Sequence, residues 1–153
     1  MITNFKELIL GNKGAVEAFQ TLGNGASIRV IMCDGCDILV SKASGKINVN
    51  RFNPSSDRPD LTVSIPYETV QSVFSAGTSN ARDFIVNSAS ILTDKDNIEK
   101  ISVSAHTGIM KLTMLGYLKA IPIGGSGLIK ILSRYGINSI TDIKRKLAKL
   151  TNR

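Results

Sequence analysis

Few residues in this chain are of the types that make or break bonds, and they stand apart from one another. The single histidine, His106, occurs in Ser104-Ala-His-Thr-Gly108, next to the expected end of a strand. A histidine there could act as a general base or a pH switch, although a lone histidine in a turn ordinarily serves structure. The two cysteines form Cys33-Asp-Gly-Cys36, the C-x-x-C spacing of half a zinc site or a redox pair. A closed zinc site would have to borrow ligands from a second subunit, because the chain has only these cysteines and one histidine. Thioredoxin-type chemistry needs the motif at a helix start, whereas these cysteines bracket an expected hairpin turn. The plain reading is two small, semi-buried residues that could oxidise to a disulfide. No Gly-x-Ser-x-Gly, Walker phosphate loop or His-Glu-x-x-His pattern occurs. Enzyme activity, a metal and a cofactor are therefore not expected.

Anion binding is better provided for. Gly124-Gly-Ser-Gly127, ahead of an expected helix, could present backbone N–H groups to a phosphate or carboxylate, or serve as a hinge. Charge is concentrated beyond it: residues 128–153 hold seven basic side chains and one acid, and the remainder of the +7 chain is close to neutral. Ile140, Ile143, Leu147 and Leu150 form one helical stripe, with Lys144, Arg145, Lys146 and Lys149 off it. Such a helix either docks through the stripe or meets an anionic membrane, and Lys130, Arg134, Lys144, Arg145 and Lys149 are the candidates for contact with an anionic group. Leu118 to Leu132 followed by Ser133 to Ile143 is also similar to a helix–hairpin–helix unit. That similarity implies an alternative function, non-sequence-specific nucleic-acid binding through glycine N–H groups and basic residues.

The elements that must position these groups can be read from periodicity. At 153 residues, with 42% hydrophobic and 20% charged residues, the chain is sized for one soluble domain with a core and a small appendage. With five Phe, three Tyr and no Trp, a stacking platform for nucleic-acid bases is poorly provided for. The opening residues lack the pattern of a signal peptide, and Ile109 to Leu132 is interrupted by lysines and glycines, so a cytoplasmic location is expected.

Thr3 or Asn4 can cap a first helix bearing Phe5, Leu8 and Ile9, continued after Gly11 to Gly14 by Val16, Phe19 and Leu22. Ser27 to Met32 and Asp37 to Lys42 read as a hairpin around Asp34-Gly35. A two-residue loop would set Ile31 opposite Ile38 and Val30 opposite Leu39, making both faces apolar. After a turn at Ala43-Ser-Gly-Lys46 comes a strand to Arg51, then a loop from Asn53 to Pro59. Asp60 to Ile65 alternates as a strand and runs through Pro66 into a helix bearing Tyr67, Val70, Val73 and Phe74, with Gly77 expected as a left-handed cap. Ser79 or Asn80 can cap a short helix containing Phe84 and Ile85. Ile101, Val103 and Ala105 suggest a last strand, Ile109 to Leu118 fits helix or strand, and Ile121 to Gly127 reads as a turn before two terminal helices. The order implies an α+β fold with a mostly antiparallel sheet of about five strands covered by helices. Two regions are expected, an α+β domain over residues 1–123 and a basic helical extension over 124–153.

The hairpin around Asp34-Gly35, the Pro59-Asp-Leu-Thr-Val-Ser-Ile65 strand leading into a helix, and the late Val103-Ser-Ala-His-Thr-Gly-Ile-Met-Lys-Leu112 stretch together resemble the sterol carrier protein family. The resemblance covers roughly residues 1–120. It implies that Ile109 to Leu118 is helical and that an apolar tunnel binds a fatty acid, acyl-CoA or sterol without catalysis. Val70, Val73, Phe74, Phe84, Met110, Leu112, Met114 and Leu115 are the lining candidates. Residues 88–100 look like an insertion relative to the family, and the extension from Gly124 to Arg153 has no firm counterpart in it.

Overall fold

The computed structural model describes residues 2–32 and 35–133, together with Thr141, Asp142, Arg145 and Lys149. Its elements are α1 (Ile2–Leu10), α2 (Lys13–Gln20), β1 (Ser27–Met32), β2 (Cys36–Ala43), β3 (Lys46–Arg51), β4 (Leu61–Ile65), α3 (Tyr67–Ser75), α4 (Ala81–Leu92), α5 (Lys95–Ile98), β5 (Ser102–Ala105), α6 (Ile109–Met114), a 3-10 turn (Tyr117–Lys119) and α7 (Ala120–Ser133). The fold is α+β. Its sheet has the strand order β3-β2-β1-β4-β5, antiparallel except where β4 lies parallel to β1.

Alternation along the strands sorts their side chains onto two faces. Val30 stands opposite Ile38 on one side and Val63 on the other, while Ile28 faces Val40, and Val40 faces Val49. These residues share the face on which Phe5, Ile9, Val70 and their neighbours pack. The other face carries Arg29, whose guanidinium pairs with Asp37 and lies 4.0 Å from the centre of the Phe52 ring. It is therefore largely polar, contrary to the expectation of two apolar faces.

That difference follows from the hairpin register. Met32 pairs with Cys36, so the β1–β2 loop has three residues, and the pairs Ile31–Ile38 and Val30–Leu39 do not form. Gly35 has φ +78°, the left-handed residue that a three-residue loop requires. A two-residue loop occurs instead between Ala43 and Lys46, where Ser44 (φ +52°) and Gly45 (φ +75°) are both left-handed, as in a type I′ turn. Cys33 and Asp34 lie outside the described residues.

The expected first helix is two helices, because Asn12 ends one and caps the next. Its Oδ1 accepts from the Ala15 N–H, at 3.0 Å, and from the Thr78 hydroxyl, at 2.7 Å. Its Nδ2 donates to the carbonyls of Phe74 and Ala76, each at 2.9 Å. Those carbonyls belong to the end of α3, so the side chain of Asn12 does the work expected of a left-handed cap at Gly77. The chain leaves α3 through Ala76 in an extended conformation (φ −66°, ψ 121°).

Residues 88–100, read as an insertion, lengthen α4 through Leu92 and add the single turn α5. The stretch from Ile121 to Gly127 is not a turn. It belongs to α7, which is kinked at Gly125 (φ +63°), and the division expected at residues 123 and 124 falls inside this helix. Pro122 is tolerated there because the first turn of a helix needs no N–H at that position. A Cβ on Gly124 would stand 3.2 Å from Ile85 Cγ2, tighter than ordinary contact, so this glycine lets α7 approach α4 closely, and Gly127 lies beside Val86.

Asn12→Ala should lower the unfolding free energy by about 2 kcal/mol or more, combining loss of a cap with loss of donors to two carbonyls. Urea unfolding followed by circular dichroism measures it. A change near zero would show that these four bonds do not hold α2 to α3.

Candidate apolar ligand site

Helices α1 to α4 cover the apolar face of the sheet without filling the space over its centre. Val30 and Val63, adjacent in mid-sheet, are only half-buried, although their side chains point into the helical layer. The space they face is a cavity of about 210 Å³. Its floor is Ile28, Val30, Val40, Val63 and Ile65 of the sheet; Phe5, Ile9 and Phe19 come from α1 and α2, and Val70, Val73, Phe74, Phe84, Ser88 and Leu92 from α3 and α4. Helical spacing explains the last set, since Phe84, Ser88 and Leu92 recur every four residues along one side of α4.

Aromatic rings bound one side of this space. Phe74 packs against Phe84, with ring centres 5.5 Å apart, and meets Phe5 edge-on at 6.1 Å. Phe19 reaches Phe84 at 6.4 Å. No charged side chain is among the described residues lining the cavity, and its sole hydroxyl is that of Ser88. That Oγ is buried and has no hydrogen-bond partner among the described residues.

Of the residues expected to line a cavity, Val70, Val73, Phe74 and Phe84 come together here. The other four lie elsewhere. Met110 and Met114 project from α6 and are 77% and 80% exposed, Leu112 is fully buried outside the lining, and Leu115 is half-buried. The cause is where α6 is anchored: Leu115 carbonyl accepts from the Gly23 N–H at 2.8 Å, which sets α6 beside the link between α2 and β1. The lining residues not anticipated are those of α1, α2 and the sheet, whose apolar faces signal only a core, together with Ser88 and Leu92 from the apparent insertion.

Of the expected anion-contacting residues, three are described. Lys130 is exposed near the end of α7, while Arg145 and Lys149 are exposed helical residues, Arg145 standing 3.5 Å from Asp142. Arg134 and Lys144, with the Ile140, Ile143, Leu147 and Leu150 stripe, lie outside the described residues. His106 is exposed, with Nε2 2.7 Å from Thr62 Oγ1. Among the described residues there is no cluster able to hold a metal ion and no helix long and apolar enough to cross a membrane.

At the end of β1 and β4 nearest α6, the fold is fastened by a buried carboxylate. Asp60 is 3% exposed, and its Oδ2 accepts from the Ser27 N–H and the Tyr117 hydroxyl, both at 2.9 Å. Lys111 Nζ stands 3.6 Å from Oδ1. The Tyr117 hydroxyl also lies 3.2 Å from the Ser27 carbonyl. Burial of the phenol, and then its bond to Asp60, push its pKa well above the usual value, since a phenolate would be poorly solvated and would face a carboxylate.

No protein-family model and no curated protein matches this chain.

The raised Tyr117 pKa fixes the sign of a pH effect. Stability from the protonated phenol is complete below the unfolded value of about 10 and is lost as pH rises beyond it. Denaturation midpoints of the native protein should therefore fall as the medium becomes alkaline, with a shallower fall in Tyr117→Phe. Parallel alkaline limbs would exclude Tyr117 as the titrating group.

Proposed function

We propose that the protein is a non-enzymatic carrier of an apolar, lipid-like molecule, related in type to sterol carrier proteins and working in the cytoplasm. The observation that supports this reading best is the unfilled space over the sheet centre, bounded by apolar side chains from seven elements and one hydroxyl. Protein interiors ordinarily pack to the density of organic crystals, so a void of this size represents contacts forgone. A ligand that enters restores them without chemistry. Its composition also matches what apolar ligand sites use, a hydrophobic lining with very few polar atoms.

Size limits the fit. The space of about 210 Å³ exceeds the roughly 150 Å³ apolar cavity known to take benzene, and falls short of the roughly 300 Å³ at which ordinary ligand pockets begin. A long acyl chain, acyl-CoA or sterol is larger than this space and is held whole only if the walls of the cavity widen. Under this reading, the exposed basic residues Lys130, Arg145 and Lys149 bring the carrier to an anionic membrane surface, where such a ligand is exchanged.

Native mass spectrometry of the purified protein, followed by organic extraction, should show a co-purified or loadable apolar ligand. Val63→Phe should abolish that binding while raising stability by about 1 kcal/mol, because the larger ring fills the void from the sheet side. A protein that cannot be loaded with any fatty acid, acyl-CoA, sterol or short hydrocarbon is not such a carrier. A Val63→Phe variant destabilised by overpacking would likewise mean that the space is not open.

A further inference from the structure

Resting on that carrier reading, we infer that Ser88 selects the ligand: the cavity takes a neutral molecule with a single hydrogen-bonding oxygen, such as an alcohol, ketone or ester, in preference to an ionised fatty acid. Serine and threonine hydroxyls within a helix commonly turn back to the carbonyl four residues earlier. Among the described residues three side chains do so, Ser72 to Glu68, Thr93 to Ala89 and Thr113 to Ile109. Ser88 does not, although Phe84 precedes it by the same interval in an unbroken helix. Its hydroxyl is buried in the wall of the apolar cavity and has no partner among the described residues.

A buried hydroxyl left without a partner is unfavourable, because it gave up its water and received nothing in return. An oxygen on a ligand reverses that loss. Since the hydroxyl can donate or accept, it suits either a carbonyl or an alcohol. An ionised carboxylate is different in kind: it would bring a full charge into a site where no described lining residue is cationic, and one hydroxyl cannot replace its hydration. The placement of Ser88 between Phe84 and Leu92 sets the oxygen against α4 and the ligand's carbon atoms against the phenyl rings and the valines of the sheet.

The test uses the full chain and three small probes scaled to the cavity, which holds about seven water-sized groups. Benzene reports the apolar space alone, 1-hexanol adds a neutral oxygen, and hexanoate at neutral pH adds a charge. Affinities come from chemical-shift titration of isotope-labelled protein. Hexanol should bind roughly tenfold or more tightly than hexanoate, since only the latter must desolvate a charge. Ser88→Ala should weaken hexanol about fivefold while changing benzene by less than about twofold, as expected for one lost hydrogen bond. Benzene binding by the variant also shows that it is folded and its cavity intact. Hexanoate binding equal to that of hexanol, or hexanol affinity unaltered by Ser88→Ala while benzene still binds, would overturn the selection by Ser88 and leave the cavity in place. If native protein binds neither benzene nor hexanol, both the selection and the carrier reading fall.

Discussion

A carboxylate taken out of water must find donors, and the way Asp60 finds them determines how the two halves of the sheet meet. The Asp60 N–H donates to the Ser27 carbonyl and its Oδ2 accepts from the Ser27 N–H, so one residue brackets the start of β1 from both sides. Its carbonyl accepts from the His106 N–H at the end of β5. With Tyr117 on Oδ2, the same side chain reaches the segment after α6. Three chain segments distant in sequence are thus tied at one point. This matters most for β4, which pairs with β1 in parallel and must arrive by a crossover from β3 rather than by a hairpin. Uncompensated, the charge would oppose folding strongly; bonded in this way, it fixes where β4 starts.

Asn12 plays the corresponding part in the helical layer. Its four bonds join α2, α3 and the link before α4, beside the apolar cluster of Ala15, Val73 and Phe84. Gly14 allows the close approach that follows, since a Cβ there would stand 2.9 Å from that of Phe84. Asp60 and Asn12, both buried, thus fix the sheet and the helical layer by hydrogen bonds as well as by packing. A layer held only by interdigitated side chains would lose its registration if those side chains left a gap. Here hydrogen bonds at the ends of the elements also locate them, and the space between them is left unfilled.

What was legible in the sequence was periodicity, and what was hidden depended on pairing. The alternation of Leu61, Val63 and Ile65 and the spacing of Val70, Val73 and Phe74 announce a strand and a helix because each pattern concerns only local geometry. The hairpin register did not follow from Asp34-Gly35, since a glycine in the left-handed region serves a two-residue or a three-residue loop equally well. Gly77 suggested a cap by the same local logic, but a side chain more than sixty residues earlier took the carbonyls instead. Met110 and Met114 suited a lining by chemistry and lay on a helix too short to show which side was covered. Glycines 124 to 127 read as a turn because close helix contact requires the same residue as backbone freedom. Ser88 gave no sign at all: a serine in an amphipathic helix is read as solvent-facing unless its neighbours in space are known.

Residues 88–92 and residues 124–127 meet at a single helix, α4. The apparent insertion begins at Ser88 and extends α4 far enough to contribute both Ser88 and Leu92 to the cavity wall. The C-terminal extension begins within α7, which lies against α4 through Gly124 beside Ile85 and Gly127 beside Val86. Ile85 and Val86 precede Ser88 by less than one turn, so the packing that sets their position also sets the direction in which Ser88 points. On the proposed carrier reading, Ser88 supplies the polar atom of the cavity wall and α7 braces the helix that carries it. The cavity and α7 are then parts of one arrangement, and α4, with one face to the cavity and another to α7, is the element through which each constrains the other.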